Sequence, residues 1–250
     1  MLLPDQIATF RAQGFVHVPG LFDETDVRDF CAWSDELVAL PEVPGRHMAY
    51  YEDSLSEPGK RVLSRIENFC PFHRPFDELL RAGRLLHCVE QMLGDSVVLF
   101  KEKINFKMPG ADGFAAHQDA QAGWGDYAPY HVTALVSLDP TTVENGCLEI
   151  APSPVGRALI GELWKPLEDA DFAASQYVAL PTQPGDVVVF DSFVPHRSAP
   201  NATDKPRRVL YVTYNLTHDG DHRVQYYADK RANYPPDCER QAGEQYEYRV

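Results

Sequence analysis

Pro184-Gly185-Asp186-Val187-Val188-Val189-Phe190-Asp191-Ser192-Phe193-Val194-Pro195-His196 reads as a tight turn, a short buried strand and a histidine delivered just beyond the strand's end. Five more β-rich runs of similar texture surround it: Val97–Lys107, His131–Leu138, Cys147–Ile150, Tyr177–Leu180 and Arg208–Asn215. Each is bounded by Gly, Pro, Asn or Asp, and none is separated from the next by an apolar repeat of helical period. Short strands at this spacing predict a sandwich or barrel. The expected fold is mainly β with flanking helices, built on a jelly-roll core (the double-stranded β-helix, cupin-like).

Upstream the period changes. Pro4 to Gln13 reads as a short helix stopped at Gly14, and Phe15–Pro19 as a short strand. Asp23 can cap a helix running to Leu40, with Val27, Phe30, Ser34, Leu37 and Val38 at helical spacing. Residues 41–60, rich in Pro, Gly and Glu, read as a loop. Pro75 to Leu93 reads as helix, broken at Gly83 and stopped at Gly94. The expected organisation is one domain over residues 1–250: a helical N-terminal third to about 95, a jelly-roll core over about 96–215, and a C-terminal extension over 216–250.

The 250 residues suffice for a substantial core. With 44% hydrophobic and 24% charged residues, the composition is that of an ordinary globular enzyme. A net charge of −14 argues against nucleic acid or an anionic membrane surface as partner. The five cysteines form no C-x-x-C pair, which suits free thiols in a reducing compartment. No basic leader and no long apolar run is apparent, so a cytoplasmic location without membrane association is expected. The sequence carries no signal for an oligomeric state.

His117-Gln118-Asp119 and the distant His196 supply the chemistry. Two histidines and one carboxylate are the ligand set of a non-haem iron site that leaves coordination positions open. An isolated H-x-D is common by chance, and a lone histidine after a strand is usually structural. The ordered set of both motifs, followed by Ser198, Asn201, Arg207 and Arg208, is what separates a site from coincidence. On a strand, residues 117 and 119 would share a face and reach one metal. His17, His47, His73, His87 and His131 read as surface or satisfied core groups, and His218 with His222 as a solvated loop.

The stretches I-N-F-K-M-P-G (104–110), H-Q-D (117–119), N-G-C-L-E-I-A-P (145–152), P-G-D-V-V-V-F (184–190), H-R-S-A-P-N (196–201) and R-R (207–208) resemble the phytanoyl-CoA dioxygenase family of Fe(II)/2-oxoglutarate oxygenases. The resemblance implies His117, Asp119 and His196 as catalytic iron ligands, with 2-oxoglutarate and O2 as cosubstrates. It implies Arg207 as the partner of the C5 carboxylate, a role that suits a guanidinium fork. Ser198, Arg65, Asn105 and Thr133 are expected beside it, and Lys103, Lys107, Gln118 and Trp124 against a small-molecule substrate. The loop 109–127 is expected to close over that substrate. Because Asp119 is a carboxylate rather than a small residue, hydroxylation is expected instead of halogenation.

The C-terminal run from Tyr214 to Asp237 is similar to a branch containing 2-aminoethylphosphonate hydroxylases. For such a zwitterion, Lys103, Lys107, Arg65 and Arg223 are candidates for the phosphonate. Tyr50, Tyr51, Trp124 and Tyr127 are candidates for the ammonium. A natural-product or amino-acid-derived substrate is the alternative within the same chemistry. A non-catalytic metal-binding jelly roll and a zinc hydrolase are the alternatives of other classes. Ser198 and Arg207 weigh against the first, and the lack of a motif-placed general base against the second.

Overall fold

The computed structural model describes residues 2–152 and 158–246. Eleven strands form two antiparallel sheets among them. The larger has seven strands: β1 (Phe15–Val18), β9 (Val187–Asp191), β6 (His131–Ser137), β11 (Arg207–Leu216), β4 (Val97–Lys107), β3 (Arg61–Glu67) and β2 (Met48–Asp53), in that spatial order. The smaller has β5 (Phe114–His117), β10 (His196–Ser198), β7 (Leu148–Ile150) and β8 (Val178–Leu180). This is the jelly-roll arrangement expected from the sequence.

The two faces of the large sheet differ because side chains alternate along each strand. Ile104 and Phe106 of β4, Leu210, Val212 and Tyr214 of β11, and Val132, Ala134 and Val136 of β6 join one apolar core. That core is closed by α1 (Pro4–Gln13), α2 (Glu24–Ala39), α3 (Arg74–Arg81) and α4 (Arg84–Leu93), through residues such as Phe30, Leu37, Phe76, Leu80 and Leu85. The intervening residues Lys101, Lys103 and Asn105 of β4, Thr133 of β6, and Tyr211 and Thr213 of β11 turn the other way and line a cavity between the sheets.

Local signals explain the helices. The Asp23 carboxylate accepts from the backbone N–H groups of Thr25 and Asp26, a cap that contributes about 1 kcal/mol. The helix expected over 75–93 is divided where Gly83 adopts φ 83°, and Gly94 ends it in the left-handed region at φ 72°.

Two regions differ from expectation. Residues 41–60 are not all loop: β2 pairs with β3, and β3 pairs with β4, extending the large sheet and adding Tyr50 and Arg65 to the cavity lining. These strands are fixed by cross-strand partners rather than by local pattern. The C-terminal extension contains α5 (Arg223–Asn233), which docks on β4. The Tyr227 hydroxyl donates to the Glu102 carbonyl at 2.7 Å and accepts from its N–H at 3.0 Å. Arg223 donates to the Glu102 carboxylate at 2.9 Å and to Asn68 Oδ1 at 2.9 Å. Met48, Tyr50, Phe100, Trp124, Tyr226 and Tyr227 then pack as one aromatic cluster.

Candidate active site

Strand register brings the histidines together. His117, the last residue of β5, lies directly opposite His196, the first of β10. Their ring centroids are 4.3 Å apart. Asp119 is not on the strand, as the H-x-D spacing had suggested; it opens a 3-10 turn over Asp119–Ala122. That turn is pinned where the Ala120 N–H donates to the Ser192 carbonyl at 2.9 Å. Asp119 Oδ1 lies 3.9 Å from Nε2 of each histidine. One ligand atom from each of the three residues falls within 4.8 Å of the others.

The surrounding bonds prepare these atoms for a cation. His117 Nδ1 donates to the Ala115 carbonyl at 2.7 Å, and His196 Nδ1 donates to the Val194 carbonyl at 3.0 Å. Both bonds fix the tautomer that leaves Nε2 as a lone-pair donor toward the cluster. Burial, then the neighbouring His196, pushes His117 down to about 3, and burial likewise lowers His196, so both rings are neutral near pH 7. Burial opposes the charge on Asp119, but His196, His117, Lys103 and Lys101 outweigh it and hold the carboxyl below its usual range. Thr133 Oγ1 donates to Asp119 Oδ2 at 2.9 Å, and Thr213 lies 3.0 Å behind it. Oδ1 is thereby left for a metal. Neutral imidazoles, one carboxylate and open positions fit iron.

Further along the cavity-facing side of β4, Lys107 lies opposite Arg207 of β11. Lys107 Nζ donates to Ser198 Oγ at 2.8 Å and also reaches the Ala199 carbonyl. Arg207 is buried, bonds the Gly146 carbonyl, leaves Nε without a partner, and pairs with no carboxylate among the described residues. Burial, then Arg207, lowers Lys107 to about 7. Two buried cations and a hydroxyl without a counter-anion are the surroundings an incoming carboxylate needs.

The opposite end of the cavity is also cationic. Arg65, Lys101, Lys103 and Lys230 gather around one buried carboxylate, Glu67. Glu67 accepts from Arg65 Nε at 2.7 Å and from Lys230 Nζ at 2.6 Å. Burial opposes its charge, yet the four cations hold it well below the carboxylate range. Lys101 and Lys103 donate no hydrogen bond to any described residue. Lys101 Nζ stands 4.9 Å over the Trp124 ring and 5.3 Å over Tyr226, and Lys103 Nζ stands 5.0 Å over Tyr211. Burial, then Lys101, lowers Lys103 to about 8.

Five expectations are corrected by this placement. Gln118 does not face substrate: it is fully buried outside the cavity, donating to the Ala158 and Phe193 carbonyls and accepting from the Ile160 N–H. Gln118 follows the end of β5 in extended backbone and caps the turn opened by Asp119, and its side chain is turned away from the metal cluster. Lys107 sits with Arg207 rather than at the substrate end. Arg65 sits with Glu67, Tyr50 and the lysines rather than with Arg207, its guanidinium 4.4 Å over the Tyr50 ring. Arg223 is consumed by Glu102. Thr133 meets Asp119 rather than open space. Asn105 lines the cavity beside Arg65 with Oδ1 unpartnered, and Trp124 lines it with Nε1 unpartnered.

A jelly roll carrying two neutral histidines and one carboxylate between its sheets defines the class of non-haem iron oxygenases. The chain belongs to the phytanoyl-CoA dioxygenase family, whose model matches residues 10–209. It is 39% identical to the 2-aminoethylphosphonate dioxygenase of uncultured bacterium HF130_AEPn_1, over 97% of this chain and 92% of that one. It is 36% identical to the methylphosphonate hydroxylase of Gimesia maris, over 93% and 88%. Among solved structures, EctD from S. alaskensis with 2-oxoglutarate and 5-hydroxyectoine superposes with TM-score 0.73 at 23% identity, over 87% of this chain and 77% of that one. The epimerase SnoN in complex with Fe3+ and alpha ketoglutarate superposes with TM-score 0.68 at 22% identity, over 84% and 82%. These two share the fold. The chain is a 2-oxoglutarate-dependent non-haem iron dioxygenase acting on a small molecule. No helix among the described residues is long and apolar enough to cross a membrane.

Proposed function

We propose that this enzyme hydroxylates an aliphatic C–H bond of a small organophosphonate of the 2-aminoethylphosphonate kind, using O2. The observation that carries the reading is the surplus of cations at the far end of the cavity, four against two carboxylates, Glu67 and the metal-ligand candidate Asp119. A phosphonate dianion offers three acceptor oxygens and the charge those cations lack. Its relatives' names point the same way.

Residues on β4 set the order of events in space. Lys101, Lys103, Asn105 and Lys107 occupy one face in sequence, spanning about 20 Å at the rise of a β-strand. Lys107, with Ser198 and Arg207 beside it, holds the distal carboxylate of 2-oxoglutarate. Lys103 faces the metal cluster, and Lys101 with Arg65 and Lys230 holds the phosphonate. His117, Asp119 and His196 would hold the iron. Bound iron and 2-oxoglutarate supply the oxidising equivalents for an unactivated C–H bond. The protein binds, orients and neutralises; none of its side chains is required as a nucleophile. Lys101 and Lys103, which bond no carboxylate among the described residues, keep this part of the interior positive until an anion arrives. All five cysteines are free thiols, which suits action in the cytoplasm.

The cavity measures about 1570 Å³ and has aromatic walls, which favours a second reading, a larger natural-product substrate. Succinate release measured with a panel of alkyl- and aminoalkylphosphonates and of phosphate-free aromatic compounds separates them. The phosphonate reading expects succinate formed one for one with a hydroxylated phosphonate. Turnover confined to the aromatic compounds would contradict it.

A further inference from the structure

Charges of both signs line the cavity. Besides the cation cluster around Glu67, the carboxylate of Asp229 on α5 lines it. Asp229 is half-buried and forms no ion pair with any described residue. Tyr127 donates its hydroxyl to Oδ2 at 2.8 Å, and Gln225 Nε2 donates to Oδ1 at 2.8 Å. Burial, then Asp229, raises the Tyr127 hydroxyl, so it remains a donor and fixes the carboxylate in place. The chain's own neighbouring ammonium, Lys230, is turned to Glu67 at 2.6 Å. A carboxylate has room for about four donors, so two bonds leave Asp229 with unused capacity. A second feature points to a ligand between these poles: the buried indole N–H of Trp124 lines the cavity without a partner.

We infer that Asp229, held by Tyr127, recognises a primary ammonium on the substrate, making the enzyme selective for ω-amino phosphonates over alkylphosphonates of equal length. The inference rests on the phosphonate reading above and adds the orientation: anion at Lys101, Arg65 and Lys230, ammonium at Asp229. The reverse orientation would set an ammonium among surplus cations and a dianion against a carboxylate, both repulsive. The indole N–H of Trp124 is left to donate to a phosphonate oxygen.

The test compares 2-aminoethylphosphonate with propylphosphonate, in which a methyl replaces the ammonium, by coupled succinate formation. Wild type is expected to favour the amine. Asp229→Asn is expected to raise KM for the amine about 10- to 100-fold, the range for a lost charge-assisted hydrogen bond, with kcat largely kept. KM for propylphosphonate should stay constant or fall. Tyr127→Phe, which leaves the carboxylate present but less fixed, should move the same ratio in the same direction by less. It reports the effect if Asp229→Asn folds poorly. Unchanged selectivity in both variants, or equal losses on both compounds, overturns the inference while leaving the phosphonate reading intact. A wild type that hydroxylates both compounds without preference also overturns it. A wild type that hydroxylates neither overturns the phosphonate reading and this inference together.

Discussion

Arg223 of α5 and Lys101 of β4 are both buried cations, and their surroundings are opposite. Arg223 has the Glu102 carboxylate, Asn68 and the face of Tyr227. Its charge is balanced inside the protein, and it ties α5 to the sheet. Lys101, one residue from Glu102, has aromatic faces and no carboxylate bonded to it among the described residues. The same division separates Arg208, bonded to Asp139 and Asp35, from Arg207, which bonds no carboxylate among the described residues. Balanced charge is scaffold; surplus charge is left for a ligand. Successive residues on one strand serve both purposes because alternation sends them to different faces.

The widest separation between the two groups should appear in stability. Glu102→Leu leaves Arg223 buried without its partner and is expected to cost about 3–5 kcal/mol. Lys101→Met removes an unbalanced charge and should cost less than about 1 kcal/mol, or stabilise. Denaturant midpoints check both, and similar losses for the two would break the distinction.

A smaller effect separates Arg207 from Arg208. Arg207→Ala should raise KM for 2-oxoglutarate about 10- to 100-fold while iron still binds. Arg208→Ala should leave that KM nearly constant and lower stability instead. An unchanged KM in Arg207→Ala would move the carboxylate socket elsewhere.

The smallest effect is a pH dependence. Burial, then Arg207, lowers Lys107 from 10.5 to about 7 in the folded chain. Between those values the unfolded chain holds this proton more tightly, so stability from this group rises with pH across that window. Anion binding requires the protonated form, so KM for 2-oxoglutarate should climb as pH passes above about 7. Lys107→Arg, which stays charged, should flatten that climb. A pH-independent KM in the parent protein would remove Lys107 from the socket.

The balanced parts and the surplus parts were not equally legible in the sequence. The core strands were plain, because Val187–Phe190 and its neighbours carry turn signals at both ends. The metal ligands were plain because H-Q-D and a histidine after a buried strand recur in order. Asp119 shows the limit: its function was legible but not its 3-10 turn, which is set by tertiary contact with Ser192. Gln118 was misassigned although alternation already pointed it away. Glu67, Lys230 and Asp229 carry no local signal of a site role. Each lies on β3 or α5, elements fixed by packing against β4, and their chemistry arises only once those elements meet. The Arg65–Glu67 spacing, i and i+2 in S-R-I-E-N-F, was the one local hint of a shared face.

The most direct test of the central claim, that surplus cations mark two anion sites, is anaerobic titration of the Fe(II) protein. The weak visible charge-transfer band of the iron–2-oxoglutarate chelate reports one site, and its shift on adding 2-aminoethylphosphonate reports the other. The account predicts a band that appears with 2-oxoglutarate and shifts with the phosphonate. In Lys101→Met the band should persist and the phosphonate concentration needed for the shift should rise about tenfold. A band that saturating phosphonate leaves unmoved, or a shift that Lys101→Met leaves unaltered, would contradict it.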